Sequence, residues 1–385
     1  MKTVRLYDND SYISEFNAKV LSCDLKGNSY EVTLDSTAFF PEGGGQTADT
    51  GTIDTATVSD VQIKDGIIIH LTDSPLTVGT NVTCRIDWDK RYRKMQNHSG
   101  EHIISGLANS LYGCTNVGFH MGNDITVDFD IELTDVQIRQ IEALSNEAVY
   151  KNVSITAEYP DSATLTNLEY RSKLDLTEDV RIVTIEGYDR CACCAPHVKR
   201  SGEIGIIKIL NYMRHRGGTR LFIICGKDAF EDYCVKTTNL YEIAVALCAK
   251  HNEELIAFRK LCSENSELKQ KCAVLSKQLT QLKSQNIEAV NGISIIFEND
   301  ADMPTIRSLA LETAKSSDVI AAIFSGNNNN YKYAVSSMHK SVRDISQKLN
   351  ATFNGRGGGS DELVQGNINA TETDIRNFFN GIQVE

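Results

Sequence analysis

From Tyr241 to Asn286 the chain contains neither Gly nor Pro, and Leu261, Leu268, Leu275 and Leu282 recur every seven residues. Three residues ahead of each stand Phe258, Asn265, Cys272 and Leu279, which completes an a/d seam with one polar a position,. Such a stretch predicts a long coiled-coil-like helical linker over 236–288 and divides the chain in two. A helical arm, a dimerising coil and a hairpin folding on itself all satisfy the pattern.

The two sides read differently. Residues 1–88 predict short strands closing into a small β-barrel, with Gly27-Asn28 and Asp65-Gly66 as tight turns between alternating runs,. From 89 to 230 the pattern becomes mixed α+β. One helix runs from Asp89 to Tyr112, carrying Met95, Ile103, Leu107 and Leu111 and stopping at Gly113,. A second covers "DVQIRQIEALSNEAVYKN", and strands lie in "DITVDFDIEL", "VRIVTIEG", "IGIIKIL" and "TRLFIICG". Beyond the linker, 291–385 predicts an α/β module with a glycine loop in "NGRGGGSDELVQG". The fold class is therefore α+β with three structured parts and a helical connector.

Length and cysteine usage narrow the chemistry. A chain of 385 residues buries a core without staples,. Eleven cysteines is an odd count, no apolar leader follows "MKTVRLYDND", and no apolar run is long enough to span a bilayer,. The expectation is a cytoplasmic protein with reduced thiols and no membrane partner. The formal net charge of -12 argues against indiscriminate coating of nucleic acid,. Basic residues nevertheless cluster at Arg85–Lys94 and Arg190–Arg220, the first beside a His–His pair and the second around a Cys–His pair; as a charge run alone, solvated surface explains them,.

Those pairs carry the chemistry. "NHSGEH" sets His98 and His102 four residues apart, on one face of the expected helix,. "CCAPH" sets Cys193 and His197 at the same spacing. One thiolate and three imidazoles form a borderline-soft donor set suited to one Zn2+ ion. The first pair also fits HxxEH, a zinc-peptidase pattern with Glu101 as base, although that reading has no use for Cys193 or His197,. A third element, "TAFFPEGGGQTADTG", offers three successive glycines and the amide of Gln46,.

Thr37 with "FFPEGGGQTADTG", His98 and His102 in "NHSGEH", "GFHMG" at 118–122, and Cys193 and His197 in "CCAPHVKRSGEIG" together resemble the AlaX-type alanyl-tRNA editing proteins. The coil and "GRGGGSDELVQG" resemble the C-terminal part of alanyl-tRNA synthetase, which implies the long form of the family. No aminoacylation core fits ahead of residue 1, so a full synthetase is not expected. The resemblance implies zinc-dependent hydrolysis of the ester linking serine or glycine to the tRNA for alanine.

It implies metal ligation by His98, His102, Cys193 and His197, catalytic contacts from Thr37 and Gln46, and substrate contacts from Gly43, Gly44 and Gly45. Thr37 is the residue expected to meet the serine hydroxyl. Expected tRNA contacts are Arg91, Arg93, Lys199, Arg200, Arg214, Arg216, Arg356, Gly357 and Gly358, and a homodimer through the coil or the C-terminal domain fits the seam. This sequence departs from the family in its cysteine loop, where Cys194 and Ala195 replace two glycines and Cys191 precedes them. A zinc-stabilised RNA-binding protein without catalysis is the rival reading.

Overall fold

The computed structural model describes residues 2–172, 180–285, 289–327 and 329–382. It is a mixed α+β chain that resolves into two compact units, Met1–Glu242 and Ile243–Glu385.

In the first unit, six strands close a barrel in the order Glu15–Lys26, Ser29–Leu34, Ile67–Thr72, Ala56–Lys64, Gly51–Ile53 and Asn81–Ile86. Alternation along these strands sends Val20, Val32, Leu34, Val58, Val61 and Ile68 inward as one apolar core,. The turns at Gly27 and at Asp65-Gly66 take positive φ, the backbone state that matches the twist of tight hairpins,.

Helix Trp88–Tyr112 leaves the barrel at the Asp87 N-cap, which accepts from the Lys90 N–H, and ends at left-handed Gly113,. It is buried on almost every side from Met95 to Ala108, while Leu111, expected in its apolar stripe, is exposed. Gly100 explains how such burial is reached. A Cβ there would lie 2.3 Å from the Cys225 sulfur, so only glycine lets the helix approach strand Gly218–Cys225 this closely. That strand belongs to a four-stranded sheet in the order Ile207–His215, Gly218–Cys225, Ile125–Phe129, Asn116–Met121. A separate three-stranded sheet, Ile155–Glu158, Ile182–Ile185 and Asp189–Ala192, leads directly into the cysteine loop. Helix Asp135–Lys151, with a Thr134–Gln137 capping box, buries Ile138, Ile141, Ala148 and Val149 in the shared core,.

The expected uninterrupted helix is two helices, Gly226–Ala246 and Glu254–Gln285. The break holds Cys248 and Asn252 at positive φ, a conformation asparagine tolerates, and the Asn252 N–H donates to Glu254,. All four heptad leucines lie beyond it, within Glu254–Gln285, where they are exposed.

The second unit carries a five-stranded sheet in the order Ile293–Glu298, Ile320–Asn327, Asn330–Ser336, Leu363–Ile368, Arg356–Gly359. The stretch read as a glycine loop is thus a hairpin, with Arg356–Gly359 as the edge strand. Its glycines serve close approach, since a Cβ on Gly357 would sit 2.4 Å from the Tyr333 hydroxyl,.

Candidate metal centre

Helix Trp88–Tyr112 and the loop after strand Asp189–Ala192 bring His98, His102, Cys193 and His197 together, with one ligand atom from each lying within 4.8 Å of all the others. The Cys193 sulfur is 3.6 Å from His98 Nε2 and 3.4 Å from His197 Nε2. Bonds of about 2.0–2.3 Å from a tetrahedral zinc imply ligand separations of roughly 3.3–3.8 Å, so these distances suit that ion.

Each imidazole has a partner on its other nitrogen. His98 Nδ1 meets Gln46 Oε1 at 3.0 Å, His102 Nδ1 meets Asp189 Oδ2 at 2.9 Å, and His197 Nδ1 meets Ser99 Oγ at 3.0 Å. With Nδ1–H donating in each case, all three Nε2 lone pairs converge on the centre. Asp189 is itself held by two bonds from Arg171, at 2.7 and 2.8 Å. The fit to a metal rests on this shared orientation as much as on the donor set.

Electrostatics favour a thiolate at Cys193 and a neutral His197, whereas His102 has to give up its Nε2 proton to a metal,. Burial works against ionising Cys193, yet the adjacent His98 and His197 hold its thiol well below the usual value,. Burial pushes His197 down to about 3, which keeps it a neutral ligand. Burial also opposes charge on His102, but the hydrogen bond to Asp189 holds it well above its ordinary value. Cys191 is the opposite case, since burial raises its thiol. Cys194 is exposed.

The glycine turn reaches the site from the barrel. Gly43 and Gln46 exchange backbone bonds of 3.1 and 3.0 Å, closing a turn in which Gly44 and Gly45 take positive φ. Gly45 packs so tightly on Phe119 that a Cβ would lie 2.2 Å from its carbonyl oxygen, and the Met121 N–H donates to the Gly45 carbonyl. Phe119 in turn packs on the His98 ring at 4.8 Å. Gln46 is 1 % exposed and its Nε2 has no hydrogen-bond partner among the described residues, so a buried amide donor beside His98 awaits a ligand,. Gly43 is less available than expected, because its N–H is spent in the turn; among the described residues those of Gly44 and Gly45 are not.

Other expected residues fall elsewhere. Thr37 is fully buried in the barrel. His70 Nδ1 meets the Val32 carbonyl at 3.1 Å, so the Thr37 hydroxyl donates to His70 Nε2 at 2.9 Å and accepts from the Phe39 N–H at 3.1 Å. The structure thus pairs Thr37 with His70 and does not join it to the histidine and cysteine cluster. Arg91 has 0 % exposure and is bonded to Asp49, Ala38 O and Ser11 O, which removes it as a phosphate contact. Arg93 is claimed by Asp89, Asp228 and Glu231. Lys199, Arg200, Arg214 and Arg216 remain exposed, although Lys199 pairs with Asp10 and Arg214 with Glu132. Arg356, Gly357 and Gly358 lie on the edge strand of the second unit.

Glu101 sits in a buried network, its Oε1 accepting from Ser105 Oγ at 2.5 Å and Asn116 Nδ2 at 2.6 Å, while Oε2 is 4.0 Å from His102 Nε2. Sequence reading did not single out Asp189, Ser99 or Arg171, and it took in Phe119 only as part of "GFHMG". The only signals were the acid four residues before Cys193 and the serine next to His98.

Two families match parts of the chain: "tRNA synthetases class II (A)" over residues 10–90, and "Threonyl and Alanyl tRNA synthetase second additional domain" over 180–222. The second contains the Cys193 and His197 loop. Among curated relatives, alanyl-tRNA editing protein AlaX-L of Pyrococcus horikoshii is 26% identical, covering 96% of this chain and 96% of its own length. Alanyl-tRNA editing protein Aarsd1 of Danio rerio is 26% identical over 94% of this chain and 93% of its own. The alanine–tRNA ligase of Ignicoccus hospitalis is 29% identical over 92% of this chain, which spans only 40% of that enzyme. A solved structure, the C-Ala domain from Aquifex aeolicus alanyl-tRNA synthetase, aligns with 26% of this chain and 99% of its own at 14% identity and a TM-score of 0.23.

Two parts of this chain thus match families described from class II, threonyl and alanyl tRNA synthetases. Over nearly its whole length the chain is similar to two curated alanyl-tRNA editing proteins, AlaX-L and Aarsd1, each at 26% identity.

Proposed function

We propose that this chain is a hydrolase that removes serine, and glycine as a second substrate, from wrongly charged tRNA for alanine. The observation that carries the reading is the Gln46 amide, whose oxygen orients His98 while its buried, unpartnered Nε2 stands ready for a polar group. A protein using its metal only to fold would have no reason to bury that donor unsatisfied, at a cost of about 1–3 kcal/mol. The full-length likeness to AlaX-L and Aarsd1 supports the same substrate class.

His98, His102, Cys193 and His197 would hold one Zn2+ ion, which supplies Lewis acidity and a fixed positive charge when bound. The protein's own part is to orient and to stabilise charge. Gln46 Nε2–H, with the N–H groups of Gly44 and Gly45, provides donors for the ester oxygen as it gains negative charge. Phe119 and the buried helix keep bulk water from the imidazoles, which strengthens those donors,. A second sieve is needed because an alanine pocket cannot exclude the smaller glycine and rejects an added hydroxyl only about a hundredfold. Exposed Lys199, Arg200, Arg214 and Arg216 are the candidates on this unit to hold the acceptor stem, with Arg356 on the second unit,.

The test is incubation with seryl-, glycyl- and alanyl-tRNA for alanine, with and without a chelator. Chelator-sensitive release of serine that spares alanine is expected. Absence of deacylation for all three overturns the proposal.

A further inference from the structure

Three cysteines crowd this loop, and nothing in their spacing fixes which of them meets the imidazoles. Strand Asp189–Ala192 pairs Ala192 with Ile182 and Cys191 with Val183. Side chains alternate along a strand, so Cys191 and Cys193 point to one face, and a slip of two residues would exchange them without turning the strand over. The exchange is near at hand, because the Cys191 sulfur already lies within 4.8 Å of ligand atoms on His102 and Asp189.

What opposes that slip is Arg181. Its carbonyl accepts from the Cys193 N–H at 3.0 Å, extending the strand pairing by one step. Its Nη1 donates to the Cys193 carbonyl at 3.1 Å and to the Ala195 carbonyl at 2.8 Å. One side chain, 6 % exposed, thus grips the loop on both sides of Cys194. Its Nε faces Asp8 Oδ1 at 4.0 Å, a countercharge from the segment ahead of the barrel, and neither atom has a hydrogen-bond partner among the described residues. Among the described residues, the groups facing this buried guanidinium are backbone carbonyls and one acid, a costly arrangement unless it holds something in place,.

We infer that Arg181 is the positioning residue that selects Cys193, from the three cysteines of its loop, as the thiolate facing His98, His102 and His197. The inference rests on the metal-site reading above. Arg181 touches none of the ligand side chains and acts through the backbone of the residues that carry them. Without the clamp, the loop either loses its thiolate from the centre or shares that place with Cys191.

Cobalt substitution tests this directly, because a thiolate bound to Co2+ gives a charge-transfer band that an all-imidazole site lacks. The full chain, stripped of metal and titrated with Co2+, is expected to show that band, and Cys193→Ser to abolish it. In Arg181→Met the band is expected to be lost, or to survive Cys193→Ser and vanish only when Cys191→Ser is added. Co2+ affinity should fall by about tenfold or more, the usual consequence of disturbing the support of a ligand. Arg181→Lys, which retains a cationic donor, should restore dependence on Cys193 alone. Should the methionine variant fail to fold by circular dichroism, Arg181→Gln, with an amide donor of shorter reach, replaces it. A folded Arg181→Met or Arg181→Gln protein with a wild-type band that depends on Cys193 alone overturns the inference. Absence of the band in the wild-type chain would overturn the metal site itself.

Discussion

The two halves of the centre have the same spacing in sequence and opposite ways of achieving it in space. His98 and His102 are four apart on a helix, where the backbone repeat alone stacks them on one face,. Cys193 and His197 are also four apart, but on an irregular loop where no repeat applies. Each half has an arginine brace. Arg91 ties the first turn of the helix to Asp49 beside the barrel, and Arg181 ties the loop to itself. A helix needs anchoring only as a body, whereas a loop must be held residue by residue.

The comparison can be broken most severely at the ligands. Cys193→Ala and His102→Ala are each expected to remove stoichiometric metal and to lower deacylation by more than about 100-fold, beyond the range seen for supporting residues. Glu101→Ala should keep metal and activity if its bonds to Ser105 and Asn116 are structural; the reverse pattern would favour a peptidase-type base. Metal content by emission spectroscopy and deacylation rates decide between them.

Next in size is the helix brace. Arg91→Ala leaves Asp49 buried and unpaired, so a loss of about 3–5 kcal/mol is expected in denaturant unfolding. Protein that remains folded should bind metal normally, because the helix repeat still aligns the histidines. Weaker metal binding in proportion to lost stability would erase the distinction between the two braces.

Smaller effects should come from the imidazole supports. Asp189→Asn and Ser99→Ala are expected to weaken zinc by about 10–100-fold, measured by competition with a chelating dye. Asp189→Asn should have the larger effect, since it also strands Arg171.

The smallest effect concerns Thr37 and His70. Thr37→Val should cost about 1–3 kcal/mol of stability, since it removes the partner of both His70 Nε2 and the Phe39 N–H, and leave the preference for serine over alanine unchanged,. A selective loss of serine release would return Thr37 to the substrate. Burial holds His70 at about 4, below its ordinary 6.5. The unfolded chain therefore takes up a proton that the folded barrel refuses, and stability should fall as pH drops from about 6.5 to 4. His70→Gln should flatten that dependence in melting curves taken across the interval.

Sequence reading went furthest where chemistry is local. The turns at Gly27 and Asp65-Gly66, the helix stop at Gly113 and the meeting of the four metal-type side chains were all legible, because each follows from a residue type at a fixed spacing. Charge misled at Arg91 and Arg93. An arginine run looks the same whether its partners are phosphates or carboxylates such as Asp49 and Glu231, which arrive only with folding. The pairing of Thr37 with His70 was not legible for a similar reason, since His70 is far along the chain and no pattern links the two. The break at Cys248 and Asn252 escaped because only Gly and Pro were counted as breakers. Arg181 was invisible, since a residue just ahead of a strand whose side chain turns back onto backbone carbonyls leaves no periodic trace.

Gln46 joins two duties that one atom exchange would pull apart. A glutamate in its place would give His98 a charged acceptor, making that imidazole a stronger electron donor toward whatever its other nitrogen holds. The same change would delete the NH2, the side chain's only donor group, that it can offer to an incoming ester. The carboxamide is thus a compromise between a better ligand and a better host. Gln46→Glu is the one-atom edit that would show which of the two limits turnover.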